Sequence, residues 1–249
     1  MKILLISGHG AGDCGACGNG YKEADLTREL VNLIAPKLKD YATVTVYDQT
    51  RNAFKDCQNG KFGVGTNAYN YALEIHFNAF DKTAKGTEIF VTTKEKGITV
   101  EQGIMKKMDK YFKLRDADGV KVKNYTVINT LKKRCISSAL LEVCFIDNKE
   151  DMKVYQANKN AIAQDIVDAI ADGFGLKKKV TVKTVKVGST VKVASNAVIG
   201  GLASNRGDKA SSYLKSKTWK VEKIQTNKGV KEALLSCDTW VAVKYLTAI

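Results

Sequence analysis

Between Lys2 and Gly173 the sequence alternates short, largely apolar runs with longer stretches whose apolar residues recur every three or four positions. That alternation constrains the fold more than any other feature, because short apolar runs are what strands buried on both faces of a sheet require. Lys2–Ile6, Ala72–His76 (within Tyr69–Phe77), Thr87–Thr92 and Ala139–Phe145 read as such strands, and Ala42–Tyr47 alternates as another. Between them, Glu23 to about Leu38 places Leu26, Leu30, Val31, Leu33, Ile34 and Leu38 at helical spacing. Gly97–Phe112 reads as an amphipathic helix and Lys149–Gly173 as a long one. The only proline, Pro36, should kink or stop the first helix near its end. Strands separated by helices predict an α/β fold with a mostly parallel sheet flanked by helices.

After Gly173 and Gly175 the pattern changes at "LKKKVTVKTVKVG". Short β-branched segments then alternate with turns: Val187–Val193, Gly200-Gly201, Trp219–Ile224, Asn227–Gly229 and Trp240–Leu246. This predicts a small all-β barrel. The division is a first domain over 1–175, a lysine-rich linker over 176–182 and a second domain over 183–249. Charge follows the same division. Residues 1–176 carry 25 Lys and Arg against 22 Asp and Glu, whereas residues 177–249 carry 15 against 4. So basic a tail expects a polyanion: nucleic acid, an anionic membrane surface or an anionic cell-wall polymer. It lacks the interleaved aromatics of single-strand nucleic-acid binders.

The apolar run Ile3–Ile6 is too short for a signal peptide or a membrane span, so synthesis and retention in the cytoplasm are expected. The six cysteines are then most simply reduced thiols, with Cys144 a buried core residue. The glycine-rich loop after the first strand lacks the Lys-Ser/Thr pair of a phosphate loop, and Gly15-Ala16-Cys17-Gly18-Asn19-Gly20 lacks the dinucleotide spacing. Cys14-x-x-Cys17 has no second pair to complete a four-thiolate zinc site.

The chain has two histidines, and both end buried strands: His9 after "KILLIS" and His76 in "YALEIHFNA". Each taken alone could be a satisfied polar group. With Glu23 at a helix start that reading becomes less comfortable, since two imidazoles and one carboxylate are also a known catalytic zinc set, which leaves a fourth position for water. The carboxyl ends of parallel strands are where α/β sheets build sites. Glu142 stands inside the apolar run "ALLEVCFIDN", where an isolated charge costs several kcal/mol. It is therefore neutral, paired with Arg134 or a lysine, or a general base whose pKa is raised by burial.

Gly8-His9-Gly10, Glu23, "EIHFNA" and "LLEVCFIDN", in this order, resemble the zinc-dependent N-acetylmuramoyl-L-alanine amidases of the amidase type 3 family. The likeness runs from about Met1 to Gly173 and includes the loop residues Asp13, Gly15 and Ala16. It implies Zn2+ on His9, Glu23 and His76, Glu142 as the catalytic carboxylate, and a peptidoglycan substrate cleaved between the muramoyl lactyl group and L-alanine. It also implies that Asn67 and Asn78 shape the site or touch substrate. The chain departs from the family pattern at Glu74 (usually a small residue), at Cys144 (usually glycine) and at Ser138 (commonly proline). Glu74 shares a face with His76; it reads as a salt-bridge residue in preference to a partner of the histidine.

The tail looks like the SH3-like wall-binding domains appended to phage endolysins and related hydrolases of Gram-positive bacteria. Such a domain would bind anionic cell-wall polymers, with no nucleic acid and no membrane insertion. The setting implied is an endolysin released onto the wall, or a sporulation or autolytic amidase with the same chemistry. A wall-binding zinc protein without turnover is the alternative from another class, and the carboxylate at Glu142 argues against it.

Overall fold

The computed structural model describes residues 1–179, 184–201 and 205–249. It divides into two compact units, Met1–Lys179 and Val180–Ile249. The first unit is built on strands β1 (Lys2–Ser7), β2 (Thr43–Val46), β3 (Tyr71–Asn78), β4 (Glu88–Val91), β5 (Val120–Val122) and β6 (Ser137–Phe145). Its helices are α1 (Glu23–Leu38), α2 (Ala53–Gln58), α3 (Thr99–Met108), α4 (Thr126–Lys133) and α5 (Lys149–Gly173). The sheet order is β2-β1-β3-β6-β4-β5. Pairing is parallel throughout except between β6 and β4, where the direction reverses.

Side chains alternate between the two faces of each strand. Ile3 and Leu5, then Tyr71, Leu73, Ile75 and Phe77, then Ala139, Leu141 and Val143 enter one core. There they meet Leu30 and Ile34 of α1, Ile104 of α3, and Ile162 and Ile166 of α5. Leu4, Ile6 and Ala72 point the other way, onto Ala53 of α2 and Val127 and Leu131 of α4. Glu74, His76 and Glu142 fall on this second face by the same alternation, and it carries the shorter helices.

The helix ends have local causes. The first two backbone N–H groups of α1 donate to the loop carbonyls of Ala16 and Cys14, at 2.9 and 3.0 Å, because Lys22 provides no side-chain cap. Glu23 and Asp25 lie in its first turn, where the helix dipole favours acids. Pro36 is accommodated inside the last turn, and the helix ends two residues later. Asn148 caps α5, its side chain accepting from the amides of Glu150 and Asp151. The sequence reading did not include α2, α4 or β5.

The second unit holds β7 (Thr190–Val193), α6 (Ser212–Ser216), β8 (Thr218–Asn227), β9 (Val230–Leu235), β10 (Thr239–Ala242) and β11 (Leu246–Ala248). They form one antiparallel sheet in the order β10-β9-β8-β7-β11 around Val191, Leu214, Val221, Leu235 and Val241. Lys228 and Gly229, both at positive φ, make the two-residue hairpin between β8 and β9. Two expectations need correction. Trp240–Leu246 is not one strand, because a 3-10 turn at Val243–Tyr245 sends β10 to pair with β9 and β11 to pair with β7. The expected linker begins as part of the first unit: Leu176 packs on its core, and the Lys179 ammonium donates to the carbonyls of Lys39 and Ala42. Residues 180–182 of that linker and residue 183 lie outside the described residues.

Leu141 is fully buried and sits in register between Ile75 and Ile89 at the middle of the sheet. Leu141→Ala should lower the stability of the first unit by about 2–5 kcal/mol. Urea unfolding followed by circular dichroism measures this as a lower midpoint.

Candidate metal centre

The end of β1 is shaped to turn one imidazole over another. His9 adopts φ 61, a left-handed conformation that few residues other than glycine use. Arg28 fixes the turn, its guanidinium donating to the carbonyls of Gly8 and His9, each at 3.1 Å. Gly8 has to be glycine, because a Cβ there would lie 2.4–2.6 Å from the ring of His76. Gly15 (φ 65) is constrained in the same way: its Cβ would come within 2.7 Å of Glu23 and of the His9 ring. The glycines of the loop therefore allow close packing around two histidines.

Glu23, buried as the first residue of α1, bridges them. Its Oε1 accepts from His76 Nδ1 at 2.9 Å and from the amide of Phe77 at 3.0 Å. Its Oε2 accepts from His9 Nε2 at 3.1 Å and from the amide of Ala16 at 2.9 Å. The two rings meet edge to face, 4.9 Å between centroids. The outer nitrogens also have carboxylate partners. His9 Nδ1 donates to Asp13 Oδ2 at 2.9 Å, and His76 Nε2 to Glu74 Oε1 at 3.1 Å. Asp13 is held in turn by Asn52 Nδ2 and the amide of Gly15, both at 3.0 Å.

Glu142 stands directly opposite His76 in the β3–β6 register. The expected pairing with Arg134 does not form, because that guanidinium instead donates to the carbonyls of Phe62 and Val64. Among the described residues the buried Oε2 of Glu142 has no hydrogen-bond partner. Burial pushes the Glu142 carboxyl up to about 7; the positive charge of His76 opposes this, and Glu23, Glu88 and Glu74 add to it. Burial would also raise Glu23, but hydrogen bonds from His76 and His9 outweigh it and hold that carboxyl well below its ordinary value. Burial would lower both histidines. The bonds to Glu23 and Glu74 instead raise His76 well above its usual value, and those to Glu23 and Asp13 raise His9.

The donor atoms of His9, Glu23 and His76 all lie within 4.8 Å of one another. Two imidazoles and one carboxylate, with each outer ring nitrogen oriented by a further carboxylate, are a donor set that fits zinc. Cys14 and Cys17 are exposed, their sulfurs 3.6 Å apart, and they stand outside this group. The group opens into a cleft of about 290 Å³. His9, Asp13, Glu74, His76 and Glu142 form its polar side, and Phe54, Tyr125, Val127 and Leu140 its apolar side. Asn67 and Asn78 do not line it. Asn78 donates to Glu88 at 2.8 Å, and the Asn67 amide donates to the Arg134 carbonyl at 2.9 Å. Ser138 shares the strand face of Glu142 but does not line the cleft, its hydroxyl donating to the Ile128 carbonyl at 3.1 Å. Sequence reasoning missed Phe54, Tyr125 and Asn52. A signal was available for the last: Asn52 stands where a helix cap would start α2, and its side chain accepts from the Lys55 amide.

A family model described as N-acetylmuramoyl-L-alanine amidase matches residues 3–172, wholly within the first unit. The probable autolysin PH of Staphylococcus aureus (strain NCTC 8325 / PS 47) is 28% identical over 185 residues, covering 68% of this chain. This chain spans only 38% of that protein's length. The endolysin of Bacillus phage SPP1 is 26% identical over 190 residues, which is 71% of this chain and 67% of that protein. Among solved structures, a protein from Neisseria meningitidis, provisionally classed as an N-acetylmuramoyl-L-alanine amidase, is similar at a TM-score of 0.58 and 32% identity. That match covers 71% of this chain and 97% of the other.

Glu142 has a consequence for stability that can be measured with a chelator present. An unfolded glutamate ionises near its ordinary pKa of about 4.3, whereas this one keeps its proton up to about 7 in the folded chain. Between those values the folded state binds more protons, so its stability falls as pH rises. Glu142→Gln cannot ionise and escapes the loss. Its melting temperature should match wild type near pH 4 and exceed it at pH 8, by an amount equivalent to about 1–3 kcal/mol. Equal midpoints at pH 8 would show that the carboxyl is not perturbed.

Proposed function

This chain belongs to the N-acetylmuramoyl-L-alanine amidase family, and from that premise we propose that it hydrolyses peptidoglycan at the amide joining N-acetylmuramic acid to the L-alanine of the stem peptide. The observation that carries the reading is the convergence of His9, Glu23 and His76, with Glu142 opposite His76 in register. His9, Glu23 and His76 would hold zinc, which when bound supplies Lewis acidity at the scissile carbonyl and acidifies water.

The remaining chemistry belongs to the protein's own groups. Glu142 takes a proton from the attacking water and delivers it to the nitrogen of the departing L-alanine. A carboxyl poised at about 7 can do both near neutral pH. Asp13 keeps the His9 ring turned so that Nε2 faces Glu23. Phe54, Tyr125 and Val127 offer apolar surface on one side of the cleft, where the reacting group can be held away from bulk water. These residues need no conformational rearrangement to face the same space.

We assign the finer parts of the reading on separate grounds. The second unit is proposed to be an SH3-like module that holds anionic wall polymers, supported by its separate core and its 12 basic residues against 4 acidic ones. The setting proposed is that of a phage endolysin, made in the cytoplasm and acting on a Gram-positive wall after release. The likeness to the SPP1 endolysin supports it, and the likeness to a staphylococcal autolysin supports a host enzyme of the same chemistry as the second reading. Among the described residues no helix is long and apolar enough to cross a membrane.

Purified Gram-positive walls should yield new amino-terminal L-alanine without new reducing sugar. A chelator should stop the release and zinc restore it. Glu142→Gln should still bind zinc while releasing at least about 100-fold less, the scale of a lost general acid–base group. Zinc binding without amino termini from any wall would leave a wall-binding zinc protein as the better account.

A further inference from the structure

We propose that Glu74 is a positioning residue that selects which nitrogen of His76 faces the metal and thereby sets metal affinity. The proposal rests on the reading of His76 as a metal ligand. Two residues before His76 on the same strand face, Glu74 looks at first like a salt-bridge residue of the sheet. Among the described residues it has no such partner: neither lysine nor arginine pairs with it, and its one side-chain hydrogen bond is to His76 Nε2 at 3.1 Å. It is 4% exposed, and its second oxygen, also buried, has no hydrogen-bond partner among the described residues. A carboxylate taken so far out of water is costly unless its one bond serves a purpose.

The purpose follows from the ring. His76 is confined on three sides: Gly8 lies against its face, Glu23 Oε1 meets Nδ1 at 2.9 Å, and Glu74 Oε1 meets Nε2 at 3.1 Å. Nδ1 is the nitrogen turned toward Glu23, the carboxylate that also meets His9. For Nδ1 to present a lone pair there, the single proton of a neutral ring must sit on Nε2. An acceptor fixed at Nε2 stabilises that tautomer and makes the ring a stronger donor. His9 uses the opposite arrangement, with Nε2 inward and Nδ1–H on Asp13. Asp13 has Asn52 and the Gly15 amide to hold it in place, whereas among the described residues Glu74 has only the histidine.

Zinc affinity of the full chain, measured by competition with a chromophoric chelator, tests this without reference to turnover. Glu74→Ala should weaken zinc about 10- to 100-fold, the usual cost of losing an outer partner of a ligand histidine. It should also alter the visible spectrum of the cobalt-loaded chain. Glu74→Gln keeps the volume and an oxygen that can accept from Nε2, so it should lose only about three- to tenfold. Melting with chelator present verifies that each variant is folded, and Glu74→Gln carries the test if the alanine variant is not. Folded variants that bind zinc as wild type does, with an unchanged cobalt spectrum, would reduce Glu74 to an ion pair and overturn the proposal. A wild-type chain that binds no zinc would overturn the ligand reading beneath it. Weakened zinc binding in a protein that cleaves no wall would uphold the role of Glu74 and reject only the reaction.

Discussion

The carboxylate of Glu23 has to reach two imidazoles at once, and much of the first unit answers to that requirement. It is met by starting α1 directly beneath the loop that leaves β1, so that the loop's carbonyls satisfy the helix's first amides. The loop can lie that close only where Gly8 and Gly15 present no side chain to the rings and carboxylate. His9 accepts a left-handed backbone to bring its ring over His76, an example of local strain held by the surrounding structure. Arg28, reaching from α1 to the carbonyls of Gly8 and His9, ties the helix and the strand end into one piece. Removing any of these parts would loosen the geometry that the others depend on.

The parts of this design that were legible in the sequence are those set by long periodicity or by rarity. Helix α1 and helix α5 match their expected limits because 16 and 25 residues give the helical period room to repeat. The histidines stood out because the chain has only two, each at the end of an apolar strand. Helix α4 was missed for the opposite reason. "TVINTLKK" is eight residues long and rich in β-branched side chains, so its local preference favours a strand. Packing of Val127 and Leu131 against Leu4 and Ile6 makes it a helix, and no local window contains that information. The partner of Glu74 was hidden similarly: spacing put it on the face of His76 but could not say that no lysine would reach it.

The two units solve the burial of charge in contrasting ways. In the second, Glu232 is almost fully enclosed and neutralised locally, accepting from the Gly201 amide at 2.8 Å and pairing with Arg206 at 3.1 Å. It braces a turn and ends there. In the first, Glu74, Glu88 and Glu142 of three neighbouring strands gather near Glu23 at the start of α1, and among the described residues only Glu88 of these four is matched by permanent cations, Lys121 and Arg115. The others depend on groups that can gain or lose charge. Sites that carry out proton transfer are where such arrangements are expected, because an ordinary core would have replaced these acids with apolar side chains.

The raised basicity of the two histidines has a consequence for how such a centre is assembled. Two imidazolium protons and one divalent cation carry equal charge, so exchanging one for the other leaves the electrical balance among the glutamates unaltered. Both rings already meet Glu23 through the nitrogens that would face such a cation. In such a site the burial of Glu23 and Glu74 is offset without a permanent cation, by hydrogen bonds from the same rings that would hold the metal. Metal uptake at such a site would displace protons and so become weaker as the solution is acidified.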